Sequence, residues 1–182
     1  MKLHFQIIHS ASDPLWSFML TCLEASFPLV ERRSAEQMEQ LLNVPSFSPY
    51  VLTVEQRPVG IFNVWDLKSF HYIEHFAVIH SFRGNGVGTD AMHRFLQRVN
   101  ANVVIEVEKP TSSLAERRIA FYERHGFSLC DVDYLQPPYD KEKAAVPLHL
   151  MLFGDSSAAS HSDCNIIKQR LYQYVYQVNL PD

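Results

Sequence analysis

Phe76-Ala77-Val78-Ile79-His80-Ser81-Phe82-Arg83-Gly84-Asn85-Gly86-Val87-Gly88-Thr89 is a short apolar run that ends in a turn, followed by a glycine-rich loop and the start of an amphipathic segment. A loop placed at a helix start exposes backbone N–H groups that nothing inside the helix can satisfy. The helix dipole adds partial positive charge at the same end, so phosphate or pyrophosphate suits it. A P-loop closes on Gly-Lys-Ser/Thr, whereas this loop closes on Gly86-Val87-Gly88-Thr89 without a lysine. A dinucleotide fingerprint begun at Gly84 finds its second glycine at Gly86 but meets Thr89 where the third must stand. What remains is Arg83-x-x-Gly86-x-Gly88.

A second motif lies downstream. Arg118-Ile119-Ala120-Phe121-Tyr122-Glu123-Arg124-His125-Gly126-Phe127 reads as a helix end, with Gly126 at the C-terminal cap and Phe127 opening the next apolar run. One helix (Val87 to about Gln97), one strand (Val103–Val107) and a second helix separate the loop from Tyr122. Taken together, the loop and the Phe121-Tyr122…Gly126-Phe127 segment resemble the acetyl-CoA loop and the tyrosine-bearing helix of the GNAT superfamily of N-acetyltransferases. The resemblance covers roughly residues 1–153. There are departures from the family pattern. Asn and Ala often stand seven and four residues before the tyrosine, where this chain has Ala115 and Arg118. An asparagine contact to the cofactor is therefore not carried over.

Outward from the loop, the pattern predicts a first strand at His4–His9 and a helix opened by Asp13-Pro14 and stopped at Pro28. Ser34-Ala35-Glu36-Gln37 is a capping box that opens a short helix through Leu42. Pro45–Pro49 reads as a loop. Tyr50–Glu55 and Val59–Trp65 form a hairpin around Gln56-Arg57, and Phe70–Ile79 is a long strand into the glycine loop. Val103–Val107 is a buried strand, Phe127–Asp133 the next, Leu135–Asp140 a proline-rich connection, and Pro147–Phe153 the last core strand. The order β-αα-βββ-α-β-α-ββ is that of GNAT domains. The expected fold class is α/β (α+β): a central mixed, mostly antiparallel sheet flanked by helices, with a C-terminal extension. Residues 1–153 are expected to form the acetyltransferase domain. Residues 154–182 are expected to be a linker and a helical tail laid on the core or on a partner, which leaves room for a homodimer.

A chain of 182 residues suits one domain, and 47% apolar residues is enough to build its core. No run approaches the ~20 apolar residues of a membrane helix. Met1–Gln6 does not open a signal-peptide pattern, so a cytoplasmic location without a membrane partner is expected. The net charge of −4 argues against nucleic acid as a partner. Cys22, Cys130 and Cys164 are odd in number and widely spaced, which points to free buried thiols rather than disulfides or zinc.

His71-Tyr72-Ile73-Glu74-His75 spells a zinc-peptidase motif. It chelates only on a helix, where residues four apart lie about 6 Å apart along the axis. On a strand they lie ~13 Å apart. Phe70, Tyr72, Ile73, Phe76, Val78 and Ile79 are strand-type residues, so no metal site is expected and zinc hydrolysis is the remote alternative. His71 and His75 are expected on one strand face, near a cleft or solvent.

Acetyl transfer from a thioester requires a deprotonated amine, a polarised carbonyl, a proton for the leaving thiolate and in-line positioning. The resemblance implies acetyl-CoA as acyl donor and direct attack by a primary amine in a ternary complex. It places the cofactor on Phe76, Ala77, Val78, Arg83, Gly84, Asn85, Gly86, Val87, Gly88 and Thr89, with the Val78 N–H toward the thioester carbonyl. The neighbouring strand segment is Ile105-Glu106-Val107. It also implies Tyr122 as the acid that protonates the thiolate, since a phenol is protonated at neutral pH. Glu74 is the candidate base, with Glu106, Glu108 and water as rivals. Trp65, Phe70, Tyr72, Tyr134 and Tyr139 are aromatics that could line the acceptor pocket or belong to the core. The acceptor, a small molecule or peptide amine, is not specified by any motif. A CoA-binding domain without turnover is the second reading.

Overall fold

The computed structural model describes residues 2–154 and 161–178. The chain forms two compact parts. Residues up to Asp66, with Ile73–Asn100, make the first. Leu67–Tyr72, with the described residues from Ala101 onward, make the second.

In the first part, strands β1 (Leu3–Ile7), β2 (Phe47–Val54), β3 (Arg57–Asp66) and most of β4 (His71–Val78) follow one another across the sheet. β1 pairs antiparallel with β2, and β2 with β3. Glu55 and Gln56 close the β2–β3 hairpin with φ of 50° and 66°. Two successive left-handed residues give a turn whose twist matches that of the strands it joins. The register steps from Leu52 opposite Gly60 to Thr53 opposite Pro58, so Val59 is an extra residue in β3. This bulge has a purpose that shows at Gly60. A Cβ there would lie 2.3 Å from the Ala77 carbonyl oxygen, so only glycine lets the two backbones approach.

Helix α1 (Trp16–Ser26) buries Trp16, Met19, Cys22 and Leu23 along one stripe. Helix α2 (Ala35–Leu41) starts on the expected capping box, with the Gln37 N–H donating to Ser34 Oγ at 3.1 Å and the Ser34 N–H donating back to the Gln37 side chain at 2.9 Å. Helix α3 (Val87–Val99) buries Val87, Ala91, Met92, Phe95 and Leu96, and Phe95 meets Phe62 of β3 with ring centres 4.9 Å apart. Apart from Ala91, each of these buried side chains is worth about 1.5–3 kcal/mol of burial.

Some expected boundaries move. Asp13 does not cap α1 directly: its carboxylate accepts the Leu15 N–H at 2.8 Å in a turn before the helix. Pro49 lies inside β2 rather than in a loop. β1 ends at Ile7 opposite Tyr50, so the N–H that Pro49 lacks falls past the last paired residue of β1.

In the second part, β5 (Val103–Glu108), β8 (Val146–Phe153) and β6 (Phe127–Leu129) lie side by side, and β7 (Tyr134–Gln136) also pairs with β8, all antiparallel. The strand expected over Phe127–Asp133 stops at Leu129. β6 takes the Met151–Phe153 end of β8 and β7 takes the Val146–Leu148 end, so the chain detours between them. The proline-rich connection therefore begins only after Gln136. Helix α4 (Ser113–Arg124) is capped by Ser112, whose hydroxyl accepts the Ala115 N–H at 3.1 Å, and Gly126 follows it at φ 88°. The expected linker lies, apart from Gly154, outside the described residues. Beyond it, α5 (His161–Arg170) runs into a wider turn at Leu171–Val175, so Tyr172 and Tyr174 stand on a helical turn and not on a strand.

Antiparallel strands flanked by helices thus make up both parts. Cys22, Cys130 and Cys164 are buried and take part in no disulfide among the described residues. Among the described residues no helix is long and apolar enough to cross a membrane.

Candidate active site

After β4, a single turn at His80–Phe82 leads into the glycine loop. Arg83 folds back and donates from Nε to the Val78 carbonyl at 2.8 Å. Gly84 and Gly86 take φ of 80° and 78°, and Gly86 is the residue that caps α3. A Cβ on either would meet nothing within 4 Å. These glycines are therefore required by backbone conformation, and the space above them is open. Arg83, Gly84, Asn85, Gly86 and Thr89 are exposed, Gly88 is half-buried in the first turn of α3, and Val87 is buried and pins the loop to the core. Asp90, also in that turn, pairs with Arg94 at 2.7 Å, which answers the one acidic charge near the helix start. Open backbone at a helix N-terminus beside an exposed arginine fits a pyrophosphate. Phe76, Ala77 and Val78 form the half-buried end of β4 leading to it.

Glu74 stands on β4 in the first part, with no exposed side-chain surface. One carboxylate oxygen accepts from Arg33 Nε at 2.9 Å and the other from Trp65 Nε1 at 2.8 Å. The Arg33 guanidinium also lies over the Trp65 ring, 5.8 Å from its centre. Burial alone would raise the Glu74 pKa, but Arg33, His75 and the Trp65 hydrogen bond outweigh it and hold the carboxyl below its ordinary value. His75 is not near solvent. It is 1% exposed, packs against Phe27 and donates from Nε2 to the Glu31 carbonyl at 3.2 Å. Burial pushes its pKa down, partly offset by the charge of Glu74 and the hydrogen bond to Glu31. His71, Glu74 and His75 share one strand, and no group of three metal-type ligands occurs among the described residues.

Tyr122 stands in α4 of the second part. It is 7% exposed and packs edge-on against Phe121 and Phe127. Burial, partly offset by Arg118, pushes its phenol up to about 12. Arg118 donates to Glu108 at 2.7 Å, so the residue that departs from the family pattern engages one of the rival bases. The other rival, Glu106 of β5, accepts from Tyr134, Gln136 and Tyr176. Trp65, Phe70, Tyr72 and Tyr134 are buried, while Tyr139 is half-buried.

Arg33, Gly60, Gln136 and Tyr176 were not singled out by sequence. A lone glycine inside a strand pattern does signal close backbone approach, and Gly60 had that signal. The others had none, because Arg33 meets Glu74 across 41 residues and Tyr176 meets Glu106 across 70.

Comparison with known proteins bears on the family and the fold. The profile of the acetyltransferase (GNAT) family matches residues 15–127. A protein of Bacteroides thetaiotaomicron assigned to the GNAT family of acetyltransferases is 34% identical, with 97% of this chain and 99% of that one covered and a TM-score of 0.89. A GNAT family acetyltransferase from Elizabethkingia anophelis with acetyl-CoA bound shares the fold at 16% identity, with 83% and 97% covered and a TM-score of 0.58. Naa50 of Arabidopsis thaliana, in complex with the bisubstrate analogue CoA-Ac-MVNAL, does so at 14% identity, with 85% and 99% covered and a TM-score of 0.61. No curated protein matches the chain. With the family profile across the loop and the tyrosine helix, and a full-length relative of the same fold, this chain belongs to the GNAT acetyltransferase family.

Proposed function

We propose that the chain transfers an acetyl group from acetyl-CoA to a primary amine, which attacks the thioester directly in a ternary complex. The observation that carries this reading is the loop at Arg83–Thr89, with its open left-handed glycines at the start of α3. Arg83, Gly84, Asn85, Gly86, Val87, Gly88 and Thr89 hold the pyrophosphate in this reading, and Phe76, Ala77 and Val78 take the arm of the donor. The acetyl-CoA in the Elizabethkingia protein and the analogue in the Arabidopsis protein support the same donor here.

Tyr122 is the proton donor to the leaving thiolate. Its raised pKa keeps it protonated at any working pH. Glu74 was the candidate base, but both its oxygens already accept hydrogen bonds and its basicity is lowered. These contacts support Glu74 as the group that anchors Arg33 and Trp65 beside β4, and the amine's proton leaves through water. Residues 1–153 are read as the catalytic domain and 154–182 as an extension. The test is thermal unfolding with and without acetyl-CoA, followed by thiol release with a panel of amines. Donor at 100 times its dissociation constant adds roughly 2.7 kcal/mol of stability. No shift at millimolar acetyl-CoA sinks the reading, and binding without thiol release from any amine replaces it with a CoA-binding domain.

A further inference from the structure

Gly60 of β3 stands against the end of β4 that takes the donor in the reading above. Its φ is not among the positive ones, so its own backbone does not call for glycine. What it needs is room. A Cβ would stand 2.3 Å from the Ala77 oxygen and 3.2 Å from the Val78 Cα. The hydrogen in the Cβ's place therefore points at that oxygen, which makes a weak Cα–H···O contact. The extra residue Val59 is the bulge that sets Gly60 there.

This contact fixes a direction. The C=O and N–H of one trans peptide point opposite ways. The Ala77 carbonyl is aimed at β3, so the Val78 N–H of the same peptide is aimed away from β3. The adjoining groups agree. The Ile79 N–H donates to the Val59 carbonyl at 2.9 Å, so Ile79 faces β3. The Val78 carbonyl faces the other way, where Arg83 Nε reaches it at 2.8 Å. The backbone groups of Ala77, Val78 and Ile79 thus alternate toward, away from and toward β3.

We propose that Gly60 is a positioning residue for acetyl transfer: by leaving room for the Ala77 carbonyl, it aims the Val78 N–H at the oxygen of the donor's thioester. This rests on the acetyl-transfer reading. There the amine nitrogen attacks the thioester carbon, and the carbonyl π pair moves onto the oxygen. The Val78 N–H stabilises that oxyanion until the pair returns and the C–S bond breaks. The thiolate takes a proton from Tyr122, which is restored from water as the amine's proton goes to water, and the products are the amide and CoA. A Cβ at position 60 tilts the Ala77–Val78 peptide and takes its N–H off line. The glycine loop that holds the pyrophosphate is left as it is.

The experiment compares the full chain with Gly60→Ala. The control is Val51→Ala, at a buried position on β2 opposite Ile61, which opens a hole in the same sheet and leaves the Ala77 carbonyl alone. Acetyl-CoA affinity is measured by calorimetry, and kcat by thiol release with the best amine of the panel, per folded molecule. Gly60→Ala should lower kcat by at least about ten-fold, toward the roughly 10²–10³-fold that loss of one oxyanion donor costs. Its acetyl-CoA affinity should stay within about three-fold, and Val51→Ala should keep both quantities within about two-fold. In isotope-labelled protein the Val78 amide resonance should shift when acetyl-CoA replaces CoA, which lacks the carbonyl, and Gly60→Ala should abolish that difference. The proposal is overturned if Gly60→Ala keeps its kcat, if its acetyl-CoA affinity falls as far as its kcat, if Val51→Ala loses as much, or if the wild-type Val78 amide does not distinguish the two ligands. That last measurement needs no variant and decides the matter should Gly60→Ala not fold. A wild-type chain that binds no acetyl-CoA or releases no thiol sinks the acetyl-transfer reading and the proposal with it. An active wild type beside an equally active Gly60→Ala sinks the positioning role alone.

Discussion

Burial acts on Glu74 and Tyr122 with different outcomes, and both outcomes can be measured. On Glu74 the desolvation cost is outweighed by Arg33, His75 and Trp65, so the folded pKa lies below the ordinary value. A carboxyl depressed in the folded state contributes stability that is present above about pH 4.5 and is lost as pH falls through the folded value. Glu74→Gln removes that acid slope and takes the Glu74 charge away from Arg33, whose side chain is 10% exposed. A loss of about 3–5 kcal/mol is expected by urea unfolding at pH 7. The rate per folded molecule should stay close to wild type. A collapse of kcat with the fold intact would instead make Glu74 the base. Tyr122→Phe is the opposite case. Turnover should fall by roughly 10²–10⁴-fold with acetyl-CoA affinity unchanged, since the lost interaction belongs to the transition state. Unchanged kcat with chemistry rate-limiting removes Tyr122 from the mechanism. The phenol, raised from 10 to about 12, stabilises the fold below pH 10 and loses that contribution as pH climbs toward 12. Tyr122→Phe should therefore be less sensitive than wild type to alkali in that window.

At the scale of elements, two glycines behave differently because they are needed for different reasons. Gly86 has open space around it but a φ of 78°. Gly86→Val should fold with a loss of order 1–3 kcal/mol, from holding a branched residue in the left-handed region. Its side chain would stand over the loop, so acetyl-CoA affinity should drop at least about ten-fold. Normal affinity in a folded Gly86→Val protein would discard the loop as the donor site. Gly60→Ala instead forces a Cβ onto the Ala77 carbonyl and should cost stability by separating β3 from β4. The same contrast explains what could be read in the sequence. The capping box at Ser34, the hairpin, the loop and Gly126 were legible because each is set within a few residues. The Arg33–Glu74 pair and the Glu106 cluster were not, because no local pattern encodes contacts between residues so far apart in the chain. The single strand expected over Phe127–Asp133 failed for a related reason. Only pairing with β8 decides that the segment becomes two short strands with a detour between them.

For the whole molecule, the question is whether residues after Gly154 are an appendage or part of the fold. The loop and tyrosine motifs stop well before them, and the family profile ends at residue 127. The Elizabethkingia and Arabidopsis proteins cover 83% and 85% of this chain, but the Bacteroides protein covers 97%, which leaves out too few residues to exclude α5. Packing also favours integration. Cys164, Ile167, Leu171 and Val175 are buried, at 0%, 7%, 0% and 2% exposure. Polar contacts tie the same segment to the second part: Lys168 donates to the Asp133 carbonyl at 2.8 Å, Arg170 to Ser69 at 3.0 Å, and Tyr176 to Glu106. Burying four such side chains is worth several kcal/mol at about 1.5–3 kcal/mol for a large aliphatic one. That is comparable with the 5–15 kcal/mol by which a typical domain is stable. A chain ended at Gly154 should therefore melt far below the full chain, by more than about 10 °C, or be recovered only as aggregate. Tyr176→Phe in the full chain should lower the melting temperature by no more than a few degrees, because it keeps the packing and gives up one hydroxyl. Calorimetry of both proteins beside the wild type checks the pair of outcomes. If the shortened chain melts with the full-length one, residues 1–153 form the independent domain that the motifs alone suggest, and the buried stripe of α5 contributes nothing that the rest of the fold requires.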